Sequence, residues 1–142
     1  MKVINGENQI LGRVASRAAK MALEGEEVRI VNAENMVMTG KMPYLIDKYW
    51  TRRHRKDKAD PEHSQHWPRR PDMFVKRIIR GMLPDDRARG RNAYKRIKTY
   101  IGFPETLRNE ELMSVPGADA SKLHSKYHTV KELCSRLGHR KE

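Results

Sequence analysis

The sequence predicts an α/β fold, and three observations carry that reading. A short apolar run, "VIN" at 3 to 5, is followed by an amphipathic stretch and then by an alternating run, "EVRIVNA" at 27 to 33. Short connections make this strand, helix and strand a βαβ unit, which implies parallel pairing and a right-handed crossover. Further along, helical spacing returns before another β-type run, "IKTYIG" at 97 to 102. A chain of 142 residues is expected to form one domain, residues 1–142, long enough to bury a core without staples.

Each element has its own signal. In "QILGRVASRAAKMALEG", Leu11, Val14, Ala15, Ala18, Ala19, Ala22 and Leu23 repeat at helical spacing, with Gly25 as the C-cap. "MPYLIDKYWTRRHRK" at 42 to 56 places Pro43 near a helix start and gives Leu45, Ile46, Tyr49 and Trp50 one apolar side, so Trp50 is expected in the core. The segment from 57 to 72 has three prolines and no periodicity, and is expected to be a loop. "MFVKRIIRGML" resumes a helix whose stripe Val75, Ile78, Ile79 and Met82 should be buried, and which stops at Pro84. Asp85 or Asp86 is expected to cap a further helix to about Lys95. Beyond 103 the tail is less regular until "TVKELCSRLG" at 129 to 138, where Thr129 at the N-cap, Glu132 at N3 and Gly138 past the end bracket a helix.

Charge is the outlying property. The net charge is +12, and residues 52 to 98 hold 16 Lys and Arg against 6 Asp and Glu, a net of +10 in one third of the chain. A run that dense repels itself, so a polyanion that neutralises it is the economical explanation. Arg77, Arg80 and Lys76 flank the buried stripe of one helix, and Arg87, Arg91 and Lys95 at i, i+4 and i+8 make a ridge on the next. "TRRHRK" adds Arg52, Arg53, Arg55 and Lys56, and "WPRRP" adds Arg69 and Arg70. Arginine dominates the set, and its planar fork suits a phosphate backbone. Trp67, between His66 and Pro68, could stack an unpaired base or pin the loop to the body.

Other constellations point to little chemistry. "TGK" at 39 to 41 lacks the glycine of a phosphate loop, since Asn35 stands in its place. The turn before the first helix could offer amides and Arg13 to an anion, although capping is the simpler role. His63 and His66, or His124, His128 and Cys134, lack supporting ligands at familiar metal-site spacing, and the serines lack elbow motifs. No metal, cofactor, small-molecule substrate or catalysis is expected. The single Cys134 excludes an internal disulfide, and neither a signal peptide nor a membrane-spanning run is present, so a soluble intracellular protein is expected. A nucleoid-type DNA-binding protein and a nucleotide-using enzyme are the competing readings. The first lacks helix-turn-helix spacing and a basic terminal arm, and the second lacks a phosphate loop.

Four blocks, "LGRVAS" (11 to 16), "VNAENMVMTGK" (31 to 41), "RGMLP" with "RGR" (80 to 84 and 89 to 91) and "KTYIG" (98 to 102), stand in the order of one family. Over residues 3 to 102 the chain resembles the universal thirteenth protein of the large ribosomal subunit. The resemblance implies a three-layer α/β/α fold with a central four-stranded parallel sheet, and a structural, early-assembling binder of large-subunit ribosomal RNA with neighbouring ribosomal proteins as partners. It carries RNA contact onto Arg13, Lys41, Arg77, Arg80, Arg89 and Arg91, and makes Gly81, Met82, Leu83 and Pro84 a structural turn. Asn5 and Gly6 replace the usual Asp-Ala, and "DKADPEHSQHWPRRPD" replaces a Gly-rich, Tyr-containing bacterial loop. With no bacterial leader and no long eukaryotic C-terminal extension, the archaeal type is expected, in the cytoplasm.

Overall fold

A computed structural model describes residues 1–140. The opening unit is β1 (Lys2–Asn5), α1 (Leu11–Leu23) and β2 (Val28–Val31), with β1 and β2 parallel and Ile4 opposite Ile30. Gly25, at φ +105°, ends α1 as expected. After β3 (Val37–Thr39) come α2 (Met42–His54), α3 (Pro71–Arg80), α4 (Ala88–Arg96) and β4 (Ile97–Thr99), which pairs parallel with β2. The tail adds β5 (Leu112–Met113), β6 (Tyr127–Thr129) and α5 (Val130–Arg136).

The central sheet runs β4-β2-β1-β5, all parallel, as the resemblance implies. Its fourth strand comes from the tail, where the sequence shows no strand pattern. Two residues are too few for periodicity, and β5 exists because Val3 and Ile4 of β1 offer it a partner. The same holds for β3 and β6, an antiparallel pair joining residues 37–39 to 127–129.

The layers are unequal. On one face Ile4, Val28, Ile30 and Ile97 meet the buried sides of all five helices in a single cluster. On the other, Val3 and Val31 meet only Leu107, Tyr100 and Phe103 of the segment after β4. Helical surface outside the main cluster is therefore free to carry charge.

Three expectations change in register. The α3 core residues are Phe74, Val75 and Ile79, while Ile78 is half-buried and Met82 is 42% exposed. The helix ends at Arg80, so Met82 leaves the stripe and Leu83 turns inward. Pro71 already occupies the first turn of α3, shortening the loop. Neither Asp85 nor Asp86 caps α4, because Arg87 is its N-cap and the Asp85 carboxylate is held by Arg80. At α5 the expected cap is present: Thr129 Oγ1 accepts from the Glu132 amide at 3.2 Å, and Gly138 follows with φ +95°.

Candidate nucleic-acid interface

In a wound parallel sheet, ligands sit outside the carboxyl ends of the strands where the strand order reverses. Here that point lies between β1 and β5, and the chain fills it. Gln9 is buried, and its Oε1 accepts from the Val115 amide at 3.3 Å. The Ile10 amide donates to Ala118 O at 2.6 Å, and the Ala120 amide to Asn8 O at 2.9 Å. Arg13 reaches across to donate to Gly117 O, which occupies its guanidinium with the chain's own backbone. Gly6 fits beneath because a Cβ there would stand 2.8 Å from Met36 Cγ. The loops after β1 and β5 thus close on one another.

The cationic residues gather elsewhere, on the outer edge of the helices. Tyr49 and Arg52 of α2, Trp67 of the loop, Arg77, Ile78 and Arg80 of α3, and Gly81, Met82, Leu83 and Asp85 of the following turn line an open groove of about 530 Å³. Trp67 decides its wall. Its ring lies 5.4 Å from Tyr49 and 6.1 Å from Phe74, and the Arg52 and Arg77 guanidiniums sit 5.3 and 5.7 Å from it. Of its two expected roles, Trp67 performs the pinning of the loop, and it also spreads two guanidiniums by cation–π contact. Arg52 lies over Tyr49 as well, at 5.7 Å. Burial raises the Tyr49 pKa, with Arg52 opposing, so the phenol stays neutral at physiological pH.

In the segment 81–84 the Met82 and Leu83 amides donate to Ile79 O and Arg80 O. Gly90, between Arg89 and Arg91, explains why the two parts of the motif belong together. A Cβ at Gly90 would collide with the Pro84 carbonyl, so α4 docks on the turn through bare backbone. Arg89 and Arg91 are thereby fixed relative to Arg77 and Arg80. Sequence reasoning missed Gly90; a glycine inside a predicted helix was the available signal.

Asp85 joins the two edges. Arg80 binds its carboxylate through Nε at 2.8 Å and through Nη2. That hydrogen bond, with the nearby charges of Arg80, Arg91 and Arg77, holds the Asp85 carboxyl below the usual carboxylate range and raises Arg80. Arg91 Nη1 donates to Asp86 O at 3.4 Å, and Arg89 approaches Leu23 O at the end of α1 at a marginal 3.5 Å. Lys76 lies 4.8 Å over the Tyr94 ring, and its pKa is lowered by burial and then by Lys98 and Arg29.

The remaining predicted residues are spread more widely. Lys41, Arg55, Lys56 and Lys95 are exposed. Arg87 is exposed beside Asp86 at 3.9 Å, a contact worth little in water. Arg70 pairs with the nearly buried Asp72 at 2.9 Å, within the first turn of α3. Arg53 donates to Leu137 O at 3.3 Å, and Arg69 packs on Gly138, both at the end of α5. Of the predicted set, the groove brings together Arg52, Arg77 and Arg80, with Arg91 near them at Asp85, while the rest is spread more widely; Arg70 and Arg80 form close carboxylate pairs. Trp50 corrects the sequence reading outright. It is 50% exposed, because the core takes Leu45 and Tyr49 and leaves the next position turned out.

The candidate ligands of a metal site are scattered. His63 binds Asp60 at 2.6 Å, His128 binds Glu132 at 3.3 Å, and the buried Cys134 thiol is pushed up to about 12 by burial and by Asp72. A thiol that reluctant to ionise is inert.

The sequence profile of ribosomal protein L13 matches residues 1–106, most of the chain. The chain belongs to the ribosomal protein L13 family. It is a family of ribosomal proteins and not of enzymes. The large ribosomal subunit protein uL13 of Methanococcus maripaludis is 45% identical over 140 residues, covering 97% of this chain and 98% of its own. That of Methanocaldococcus jannaschii is 44% identical over 140 residues with the same coverage. That of Aeropyrum pernix is 38% identical over 141 residues, covering 96% of this chain and 88% of its own. These L13 relatives are archaeal, as the loop and the residues after β1 lead one to expect. Their alignments run through the tail, which had contributed nothing to the resemblance.

Proposed function

We propose that the chain is a structural constituent of the large ribosomal subunit, in the cytoplasm, that binds ribosomal RNA through its basic edge and supports subunit assembly. One domain spanning residues 1–142, without small-molecule chemistry, serves that role. The observation that carries the reading is the arginine-lined groove: Arg52 and Arg77 against Trp67, Arg80 at its rim, and Arg89 and Arg91 locked beside it by Gly90. Fixed guanidiniums lose little freedom when they grip phosphate, and their planar forks suit its oxygens. Lys41, Arg55, Lys56, Lys76, Arg87 and Lys95 extend the positive field around this centre, with Arg53, Arg69 and Arg70 on the loop side. Arg13 contributes less, because its guanidinium already serves Gly117.

The assignment to ribosomal protein of the large subunit draws on the names of the archaeal relatives, and neighbouring ribosomal proteins are the expected further partners. A filter-binding titration against large-subunit ribosomal RNA tests the reading. With about 6 to 10 phosphates neutralised, affinity falls by roughly 10³ to 10⁵ between about 50 and 200 mM salt. An affinity that stays flat with salt contradicts it.

A further inference from the structure

The face formed by α2 and α5 holds an aromatic surface that the groove does not use. Trp50 is stacked on His54 with ring centroids 4.2 Å apart and planes 28° from parallel, and half of its surface remains open. The pair is fixed, since His54 Nδ1 bonds Trp50 O at 2.9 Å. Met42, Pro43, Ile46, Asp47 and Arg136 line the rest of an open groove of about 710 Å³ around Trp50.

Cations stand on one side of this surface. Arg53 lies three residues after Trp50, a neighbour on the helix surface, and is anchored to Leu137 O. Arg69 packs its guanidinium over Gly138, about 3.6 Å from where a Cβ would stand. Both guanidiniums thus stand at the end of α5, on the adjacent residues Leu137 and Gly138, and burial with the like charge of Arg69 lowers the Arg53 pKa. Among the described residues, none of Arg53, Arg69 and Arg136 has a carboxylate partner. Asp47 lies three residues the other way from Trp50, away from the pair.

We propose that this face is a nucleotide subsite in which an unpaired RNA base stacks on the open side of Trp50 and its phosphate is held between Arg53 and Arg69, with Arg136 at the rim. The proposal rests on the RNA-binding reading and names a second contact within it. An aromatic plane accepts any base, and paired guanidiniums call for a single compact anion. An apolar side chain from a protein partner would cover Trp50 but would leave the arginine pair unneutralised, so RNA is the better occupant. Asp47, on the opposite side, is an acceptor suited to an exocyclic amino group of the stacked base.

The full chain is titrated with large-subunit ribosomal RNA and with a single-stranded RNA about 12 nucleotides long, at matched salt. Trp50→Ala weakens both on the order of tenfold, the worth of one base–aromatic stack, while the salt slope stays as it was. Trp50→Phe keeps most of the affinity, and Arg53→Gln with Arg69→Gln lowers the salt slope by about 1 to 2. Circular dichroism confirms that the half-exposed Trp50 is dispensable for folding. Trp50→Ala binding both RNAs like the parent, while Arg77→Gln, Arg80→Gln, Arg89→Gln and Arg91→Gln together still weaken binding, overturns this subsite alone. Full RNA affinity combined with lost incorporation into protein-containing subunits assigns the face to a protein and equally overturns it. If the four-arginine variant also binds as the parent does, the RNA-binding reading fails first.

Discussion

Two concave regions of the molecule make opposite use of the same fold. At the carboxyl ends of β1 and β5, where a wound sheet usually receives a ligand, Gln9 and the loop 115–118 plug the opening with backbone hydrogen bonds. On the far edge of α2 and α3, the groove beside Trp67 stays open and is lined by Arg52, Arg77 and Arg80. In the first region polar groups satisfy one another; in the second, donors outnumber internal acceptors. The contrast teaches that the chain fills the crevice of its own sheet and leaves its cationic edge open.

Gly90→Ala should break the comparison most severely. The new methyl collides with the Pro84 carbonyl, which cannot move without dislodging the turn 81–84. A loss of at least the roughly 1 to 3 kcal/mol typical of overpacking is expected in urea denaturation, along with weaker RNA binding as Arg89 and Arg91 shift. Gly6→Ala is the counterpart at the plugged end, where the new methyl meets the buried Met36 Cγ at 2.8 Å and the Val31 and Asn32 carbonyls at 3.0 and 3.2 Å. It should cost about 1 to 2 kcal/mol and leave the RNA affinity of the folded protein unchanged.

Arg13→Gln sharpens the contrast further. It should lower stability by about 1 kcal/mol, the scale of one side-chain hydrogen bond, and change the salt slope for RNA less than Arg77→Gln does. The smallest effect concerns acid. The folded pKa of Asp85 is depressed, so its contribution is present above the ordinary carboxylate pKa and is lost as pH falls through the depressed value. Asp85→Asn should therefore lower stability slightly above about pH 4, where the carboxylate pairs with Arg80, and converge with the parent in acid, which flattens the acid limb. An unaltered acid limb would remove the Arg80–Asp85 pair from the account.

Much of this contrast was legible in the sequence because its signals are local. The caps of α1 and α5, the βαβ opening and the concentration of arginine in residues 52 to 98 all follow from spacing and composition. The strands β3, β5 and β6, of three, two and three residues, carry no period of their own and form only against partners distant in sequence. The two tryptophans show the same limit. Helical spacing put Trp50 on the apolar side, yet a turn of one position separates it from Tyr49 and leaves it in solvent, while Trp67, in a segment without periodicity, became the wall of the groove. Nor could charge counting reveal that Arg80 is shared with Asp85, or that Arg13 is spent on Gly117.

The most direct measurement compares the salt dependence of large-subunit RNA binding in the parent and in the Arg77→Gln, Arg80→Gln, Arg89→Gln, Arg91→Gln variant, with circular dichroism to confirm an intact fold. The predicted result is a slope of log affinity against log salt reduced by about 3 to 4, with affinity down by two or more orders of magnitude at moderate salt. A variant that folds and retains the parent's slope and affinity would contradict a cationic edge centred on these four residues.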